Sequence, residues 1–399
     1  MRILSPGTGQ PKRVLLLQHD YDYRHHAGVA RFAAQAGWAL EDAFTPVQGL
    51  PEAWLGNGVI SCRGSSHATL DWLRKARQDH NVPVVEIADN AGGLGGDVPR
   101  VMTDDQRIAQ LAAEHFATRG YDNIGFAWEF DSPLARRRRA ALAGEAAARG
   151  LRFWDVPFER IAQLRAQEAF PIGLLTESDL VAVRALRACA DAAVPVPERV
   201  AVLGIDNFTW RCEAASVPLS SVDPDYERAG YEAAAILNRL MNAPQDAAAP
   251  EEPDPVRVPP LGVVERESTR MLAVRDEEVA KALRFIAHNA QRPVGLRDVA
   301  QVTDLSLRRL QGRFKAQLGH TILQEINGRR VERAQELLRE TAKKVRVVAA
   351  ECGFGNSMRL IRIFKQYTGV SPMAFRKQVA REGEERPVEN AHDRGARQE

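Results

Sequence analysis

Short apolar segments alternate with amphipathic helical segments along the first two thirds of the chain, and this alternation stops near residue 265. Each apolar segment is followed by a longer stretch whose apolar side chains recur three and four positions apart, the spacing of one helix face. The apolar segments are not interrupted by polar residues, which is typical of parallel strands covered on both faces. After residue 276 only the helical spacing remains. The sequence therefore predicts an α/β region followed by an all-α region.

The α/β region covers roughly 250 residues, which is more than one twisted sheet usually contains, so we expect two doubly wound lobes with parallel sheets. The predicted strands are Val14–Leu17, Gly58–Ser61, Val82–Ile87, Arg100–Met102, Asn123–Ala127, Ile172–Leu175, Val200–Ile205 and Val256–Val258. The predicted helices are Gly28–Ala36, Ala68–Gln78, Arg107–Arg119, Ala135–Arg149, Asp179–Ala192 and Tyr226–Leu240. Residues 241–255 are rich in Pro, Ala and acidic residues and predict a surface loop.

Polar residues come near the end of several predicted strands or shortly after them; they include Asp22, Glu86, Asp179 and Asp206. In doubly wound folds, ligands bind at the carboxyl ends of the strands, and two lobes form a cleft there. No GxGxxG or GxxxxGK[ST] motif follows a strand, so nucleotide binding is not supported. We therefore expect a small polar ligand between the lobes.

The charge is unevenly distributed. Residues 276–381 contain 21 Lys and Arg against 10 Asp and Glu, whereas the rest of the chain contains 33 against 42. A basic module joined to an acidic one is typical of nucleic-acid binding. The alternative is that the basic residues only cover solvated helix faces.

The basic region contains a helix–turn–helix pattern. Leu296–Gln301 predicts a short helix, Val302–Asp304 a turn, and Leu307–Leu318 a second helix that Ser306 can cap. The apolar residues of the second helix recur three and four apart and are expected to face inward; they are Leu307, Leu310, Phe314 and Leu318. Its polar residues must then face outward; they are Arg308, Arg309, Gln311, Arg313 and Lys315.

The same pattern recurs fifty residues later. Val345–Cys352 predicts a helix, Gly353–Asn356 a turn with glycines for a left-handed corner, and Ser357 a cap for the helix Met358–Tyr367. That helix combines apolar Leu360, Ile361, Ile363 and Phe364 with basic Arg359, Arg362 and Lys365. Between the two units lies a long helix, Ile322–Thr341, which can fix both recognition helices on one face of DNA.

Two segments here resemble the AraC/XylS family of transcription regulators: RRVERAQELL and CGFGNSMRLIRIFKQYTGVSPMAFRK. The resemblance implies that residues 276–378 form a double helix–turn–helix domain that binds double-stranded DNA. Its positions imply base-reading candidates Arg308, Gln311 and Arg313 in the first unit, and Ser357, Met358 and Arg362 in the second. Lys315 and Lys365 are expected to contact phosphates. Gly312 stands where the family often has Arg, so one base contact is expected to be missing.

Arg pairs with guanine edges and Gln with adenine edges, and each such contact discriminates by about 1–3 kcal/mol. The alternative for any one of these side chains is a contact to phosphate, which positions the protein without reading sequence.

The first part of the chain resembles the effector domain of the lactose and galactose repressor family, which is related to periplasmic sugar-binding proteins. The segments that carry the likeness are MTDDQRIAQLAAEHFATRGYDNIGFAW, VPVPERVAVLGIDN and LSSVDPDYERAGYEAAAILNRLM. Such repressors begin with a helix–turn–helix, whereas here the first strand starts at Val14. The resemblance implies a two-lobed periplasmic-binding-protein-like sensor over residues 12–266 whose effector is a monosaccharide such as xylose.

The resemblance also implies ligand contacts from Asp206 and from Arg138 of the ARRRR run, with Asp179, Asp22 and Glu86 as further candidates. Carboxylates and guanidinium groups suit a polyol because each can bond several hydroxyls. Aromatic residues that could form an apolar wall are Tyr21, Trp128 and Trp210. The alternatives are helix N-caps for the two aspartates after strands, and a solvated helix face for the arginines.

Other classes of protein fit poorly. The four cysteines, Cys62, Cys189, Cys212 and Cys352, have no zinc or redox spacing, and neither HExxH nor GxSxG is present. We therefore expect no enzyme activity, no metal and no cofactor. The sequence has no apolar run long enough for a membrane span or an export signal, so the cytoplasm is expected.

The sequence hypothesis is a DNA-binding regulator controlled by a small sugar. Expected partners are promoter DNA, the effector, a second copy of the chain and RNA polymerase, with no membrane. The alternatives are the same DNA-binding function with a non-sugar ligand or with none, and activation against repression stays open. Residues 383–399 are polar and are expected to be a disordered tail.

Overall fold

A computed structural model describes residues 11–19, 22–51, 54, 56–62, 67–87, 94, 97–161, 163–164, 170–243, 254–270, 273–274 and 276–384. The chain divides into two compact units, residues 1–273 and 274–399. The first contains both β-sheets, and the described part of the second is helical. The predicted fold class is confirmed.

The first unit alternates strands and helices. Its strands are β1 (Arg13–Gln18), β2 (Ala39–Phe44), β3 (Gly58–Cys62), β4 (Val84–Ile87), β5 (Arg100–Thr103), β6 (Asn123–Trp128), β7 (Arg152–Pro157), β8 (Ile172–Thr176), β9 (Val200–Ile205), β10 (Ser220–Asp223), β11 (Val256–Val258) and β12 (Gly262–Val264). Its helices are α1 (Tyr23–Ala36), α2 (Thr45–Gln48), α3 (His67–His80), α4 (Asp105–Thr118), α5 (Pro133–Ala148), α6 (Asp179–Asp191), α7 (Thr209–Ala214) and α8 (Tyr226–Asn242).

The strands form two six-stranded sheets, one in each lobe. The first lobe has the strand order β11-β5-β4-β3-β1-β2 and is entirely parallel. The second has the order β12-β10-β9-β8-β6-β7, and only its β10–β12 pair is antiparallel. The chain crosses between the lobes at the β5–α4, β10–α8 and β11–β12 connections.

Helices cover both faces of each sheet. In the first lobe, Val14 and Leu16 of β1 pack on the side of α1 and α8, whereas Leu15 and Leu17 pack on the side of α3. In the second lobe, α4 and α5 cover one face, and α6 covers the other. Because both side-chain directions of a central strand are buried, most residues of the central strands are apolar.

Four strands were not predicted from the sequence. Three of them, β2, β7 and β12, lie at sheet edges, where side chains are partly exposed and the sequence is mixed, as in ALEDAF and RFWDVP. The fourth, β10, reads SSVD, and its buried serines make hydrogen bonds instead of apolar contacts. β12 is antiparallel to its neighbour β10, whereas only parallel strands were expected. It follows β11 of the first sheet directly, and no crossover helix between them brings the chain to the opposite end of the second sheet.

The second unit is a succession of helices. They are α9 (Glu277–Asn289), α10 (Leu296–Gln301), α11 (Leu307–Leu318), α12 (Ile322–Glu340), α13 (Val345–Glu351), α14 (Ser357–Thr368) and α15 (Pro372–Glu384). The sequence did not predict α15, which extends through Gly383 and Glu384 into the expected tail. Residues 385–399 lie outside the described residues, as does most of the predicted loop at 241–255.

The cap of α14 corrects the sequence prediction. Asn356, and not Ser357, is the N-cap residue, because its side chain accepts a hydrogen bond of 2.9 Å from the backbone N–H of Arg359. Ser306 does occupy the N-cap position of α11, but its hydroxyl makes no capping bond with the residues described around it. In α14, Ile361 is 43% exposed, whereas the other three apolar residues named from the sequence, Leu360, Ile363 and Phe364, are buried.

The C-terminal helices share one core. The second half of α12 supplies Val331, Ala334, Leu337 and Leu338, which pack against residues of α13 and α14. The helix also contacts α9 and α11. Within the part of the chain that the structure describes, no helix is both long and apolar enough to cross a membrane.

Candidate functional site

An arginine near the start of α1 links the two lobes. Arg24 donates from Nε and Nη2 to the carboxylate of Asp22, over 3.1 and 2.9 Å, and from Nη1 to the backbone carbonyl of Asp206. Its guanidinium lies 4.7 Å from the ring centroids of both Phe208 and Tyr226. Because α1 belongs to the first lobe and Asp206 follows β9 of the second, this cluster spans the edge where the strands of both lobes end.

The carboxylates of this cluster are buried and partnered. Burial alone would raise the pKa of Asp22, but the hydrogen bonds and charge of Arg24 outweigh it and hold that pKa below its usual range. Asp206 is 3% exposed, and its carboxylate accepts a hydrogen bond from the hydroxyl of Tyr226. Asp206 and Asn207 both have positive φ, 123° and 50°, so the backbone makes a left-handed turn directly after β9.

Asp179 stabilises that turn through hydrogen bonds. Its carboxylate accepts hydrogen bonds from the backbone N–H of Phe208 at 2.8 Å and the hydroxyl of Ser221 at 2.6 Å, as well as from the thiol of Cys212. Burial, together with the charge of Asp206, raises the pKa of Asp179 to about 7. Asp179 is fully buried, so it positions the Asp206 turn.

Neither aspartate is a helix N-cap, which was the alternative considered from the sequence. Ser178 caps α6 through its hydroxyl, and Asp179 is the first residue of that helix. The N-cap residue of α7 is Phe208.

Arg138 is the one residue of the Arg136–Arg139 run that is fully buried. Its guanidinium donates to the Asp105 carboxylate at 2.9 Å, to the Thr103 hydroxyl at 3.2 Å and to the backbone carbonyl of Glu177. Thr103 and Asp105 lie at the β5–α4 crossing, so Arg138 fixes a connection between the lobes. The structure therefore brings Arg138 to the interlobe region, but in contact with protein groups.

The remaining predicted ligand contacts are more dispersed. Glu86, at the end of β4, accepts hydrogen bonds from the backbone N–H of Leu94 at 3.2 Å and from Arg100 Nε at 3.3 Å. Among the aromatic candidates, Trp128 donates to Asp155 at 2.6 Å, and Trp210 is 65% exposed. Tyr21 lies outside the described residues.

Arg24 and Tyr226 are the site residues that sequence reasoning missed. Arg24 lies in HDYDYRHH, shortly after the first strand, where only Tyr21 and Asp22 were considered from the sequence. Tyr226 opens α8 directly after the β10–α8 crossing. The position of both residues after a strand could have indicated that they belong to the candidate site. Their side-chain types did not indicate it.

The helical unit presents two recognition helices in the same register. Leu310 and Phe314 of α11 are buried, and fifty residues later Leu360 and Phe364 of α14 are buried in the same way. Each helix ends at a glycine with positive φ, Gly319 at 74° and Gly369 at 78°. The predicted repeat therefore holds in three dimensions.

Most of the predicted DNA-contacting side chains are on the exposed faces of these helices. In α11 the exposed residues include Arg308, Arg309, Gln311, Gly312, Arg313 and Lys315; in α14 they include Met358, Arg359, Ile361, Arg362 and Lys365. Met358 is 80% exposed, and an apolar side chain there suits a thymine methyl group in the major groove. Ser357 is partly buried.

Arg313 differs from its neighbours. It pairs with Asp276, the N-cap residue of α9, through an Nη1–Oδ2 distance of 3.0 Å. Its counterpart in the fifty-residue register is Ile363, which is buried. To reach a base, Arg313 would have to leave Asp276, so it is the weakest of the predicted base contacts.

The connecting helix has a suitable length for two grooves. With 19 residues, α12 is about 28 Å long at 1.5 Å per residue, close to the spacing of roughly 34 Å between successive major grooves.

In the described residues no group of three or more His, Cys, Asp or Glu side chains is placed to hold a metal ion. The four cysteines are buried, and none of them forms a disulfide.

Comparison with known families agrees with this geometry. Residues 113–269 match the periplasmic binding protein-like domain, and residues 50–156 match the periplasmic binding proteins and sugar binding domain of the LacI family. Residues 299–378, which contain both recognition helices, match a helix-turn-helix domain. The chain thus combines a periplasmic binding protein-like domain with an AraC-type helix-turn-helix domain that follows it.

Some relatives match most of the chain, and others match about a quarter of it. The xylose operon regulatory protein of Escherichia coli K12 is 26% identical over 390 residues, which cover 89% of this chain and 94% of that protein. The arabinose operon regulatory protein of the same strain is 34% identical over 102 residues, 25% of this chain and 35% of that protein. Among solved structures, a xylose-binding transcription activator has a TM-score of 0.71 at 24% identity, covering 92% of this chain and 98% of that one. This chain thus shares that fold over nearly its whole length.

Proposed function

We propose that this regulator reads a two-part DNA element with α11 and α14, each lying in one of two successive major grooves. The observation that carries the proposal is the matched exposure of the two helices: the same register buries one face and presents Arg308, Gln311, Met358 and Arg362 on the other. Lys315 and Lys365 occupy equivalent positions one turn further on, where phosphate contacts are expected. Residues 276–378 are the proposed DNA-binding domain.

We infer that a sugar bound between the lobes of residues 12–266 controls this activity. The residues proposed to contact or support it are Asp22, Arg24, Glu86, Arg138, Asp179 and Asp206. Two features support this: the cluster lies where the strands of both lobes end, and its carboxylates and guanidinium groups can each bond several hydroxyls. The names of the relatives that cover most of the chain favour a pentose such as xylose.

Control requires a difference in affinity between two states of the sensor. A sugar that binds the closed lobes more tightly than the open ones shifts the sensor toward closure. We propose that this shift changes DNA binding in a homodimer, with each protomer reading one element of a repeat, and that the bound dimer contacts RNA polymerase. Such a regulator would act in the cytoplasm, where its DNA lies.

The DNA-binding part can be tested with a library of randomised duplexes. The full chain should select two short base patterns separated by about one helical turn. Arg308→Ala should relax the first pattern, and Arg362→Ala the second, each with a loss of about 1–3 kcal/mol on the selected site. Selection of no pattern, or of one unaffected by either variant, would contradict the proposal.

The sensing part can be tested by thermal shift across pentoses and hexoses. A ligand at 100 times its Kd stabilises the folded state by about 2.7 kcal/mol, so the effector should raise the melting temperature of the first unit. Asp206→Asn should abolish that rise, whereas Glu213→Gln, on an exposed position of α7, should preserve it. Equal melting temperatures with every sugar would exclude sugar sensing.

A further inference from the structure

A buried arginine in α12 holds the segment that leads from α9 to α10. Arg330 is 2% exposed, and its Nε donates to the backbone carbonyl of Ala290 at 2.7 Å. Its Nη2 donates to the carbonyls of Arg292 at 2.8 Å and Val294 at 3.3 Å. The guanidinium therefore binds three main-chain oxygens of one short segment, residues 290–294, which we call the 290–294 segment.

The turn of the second helix–turn–helix unit packs closely against the same segment. Gly353, between α13 and α14, has a φ of 72°. A Cβ atom at this position would lie 2.8–2.9 Å from the carbonyl oxygens of Ala290, Gln291 and Arg292. These are backbone atoms, so they could not move aside as a flexible side chain would. Only glycine allows this close approach.

The contacts join parts of the domain that belong to different recognition units. The 290–294 segment leads into α10 and α11, the first unit. Arg330 lies beside Val331, the first of the α12 residues that pack in the core shared with α13 and α14, and its guanidinium is 6.0 Å from the ring centroid of Phe354 in the second unit's turn. Arg330 and Gly353 thus fasten the first unit to the second directly.

We propose that Arg330 and Gly353 form a clamp on the 290–294 segment that fixes the separation of the two recognition helices, and so determines which spacing between the two DNA elements the protein accepts. Both are positioning residues: Arg330 is buried and Gly353 has no side chain, so neither reads a base. The inference rests on the proposed reading of DNA by both helices.

Spacing is the property that such a clamp controls. One inserted base pair moves an element by about 3.4 Å and rotates it by about 34° around the helix axis. A rigid pair of recognition helices cannot follow both movements, whereas a loosened pair can adapt. Lysine cannot replace Arg330, because a single ammonium group lacks the planar set of donors that reaches three carbonyls.

The experiment compares spacing preferences. The wild-type full chain and its variants each select from randomised duplexes, and the two recovered elements are then placed at the selected spacing and at one base pair more or less. Wild-type affinity should fall by about tenfold or more at the altered spacings. In Arg330→Lys and Gly353→Ala the ratio between spacings should fall to about twofold or less, with the base pattern inside each element unchanged.

Two matched controls separate the clamp from general effects. Arg333→Lys changes an arginine on the same helix that pairs with Glu336, and Gly355→Ala changes a glycine of the same turn with φ 76° but open space around its Cβ position. Both should keep the wild-type spacing ratio. Gly355→Ala carries the same backbone strain as Gly353→Ala, so a difference between them reports the lost contact with the 290–294 segment.

Each outcome bears on one claim. If the wild-type chain selects no paired elements, the proposed function fails. If the wild-type chain selects paired elements, but Arg330→Lys and Gly353→Ala keep its spacing ratio or change the bases read inside an element, the clamp is refuted and the proposed function stands. Circular dichroism accompanies each variant. If both clamp variants are unfolded at the selection temperature, the two residues serve domain stability, and their role in spacing is likewise rejected.

Discussion

Gly312 allows a gain-of-function test of the DNA-binding face. In the fifty-residue register it corresponds to Arg362 of α14, and it lies on the exposed face of α11. A Cβ atom added at Gly312 would meet no heavy atom within 4 Å. We therefore expect Gly312→Arg to fold without rearrangement and to add a guanidinium at the position that its sister helix already uses.

Two contributions to the effect can be estimated separately. Glycine in a helix interior costs about 0.8–1 kcal/mol relative to alanine, and arginine is close to alanine, so the unit should be stabilised by somewhat less than about 1 kcal/mol. A new bidentate contact to guanine would contribute about 1–3 kcal/mol of binding free energy, which is about a 5- to 150-fold gain in affinity. One more phosphate contact would instead steepen the salt dependence, by about 0.9 in the slope of log K against log salt.

Fluorescence anisotropy on the DNA site selected by the wild-type chain, at several salt concentrations, measures the binding affinity and the slope of its salt dependence. Gly312→Ala is the matched control, because it should gain the helix stability without the contact. The assignment of this face of α11 to the groove would be wrong if Gly312→Arg bound no more tightly than Gly312→Ala and with the same salt slope.

Further predictions concern the cores and the interlobe cluster. Phe364→Ala, which empties a fully buried site, should lower the free energy of unfolding by about 3–5 kcal/mol in a urea titration; a cost under about 1 kcal/mol would contradict the packing. Arg138→Met should destabilise the first unit by about 2–3 kcal/mol, because the buried carboxylate of Asp105 loses a charged partner; loss of sugar binding with unchanged stability would instead make Arg138 a direct ligand contact. The pKa of Asp179, about 7 in the folded state against about 3.9 in the unfolded chain, means that the folded state binds the extra proton, so this group's stabilisation decreases as the pH rises from about 4 to about 7. The difference in urea midpoint between wild type and Asp179→Asn, measured at several pH values, should show that trend, and a constant difference would refute it. Arg24→Met should weaken binding of the effector at least about tenfold through loss of charged hydrogen bonds, as measured by calorimetry; an unchanged affinity would exclude Arg24 from the site.

Central strands and long amphipathic helices could be predicted because burial controls their sequence directly. The bounds of α10 and α11 follow from the apolar spacing and from turn residues. The edge strands β2 and β7 could not be predicted in this way, since most of their side chains are only partly buried and their composition resembles that of loops. The cap of α14 was misassigned by one residue because Asn356 and Ser357 are both good capping residues, and only the backbone geometry distinguishes them.

The site was harder to predict than the fold. Position after a strand indicated Asp22 and Asp206, which the structure places beside the same arginine. It could not show that the carboxylate of Asp179 accepts hydrogen bonds from three donors near the turn. One of these donors, Ser221, lies in β10, which was not predicted as a strand. From the sequence, Arg330 was placed only within the long connecting helix. Its hydrogen bonds to backbone carbonyls could not be predicted, because they do not depend on a repeating pattern of residue types.

The crossing of the chain between the lobes also determines the order in which they can be completed during synthesis. One face of the first sheet is covered by α1 and α8, and α8 lies more than a hundred residues beyond β5. At about 5–20 residues per second, the ribosome needs roughly 6–25 s to make that intervening stretch. For that time the part of this face that α8 covers in the finished protein is exposed, and apolar surface exposed in this way makes a nascent chain prone to aggregation.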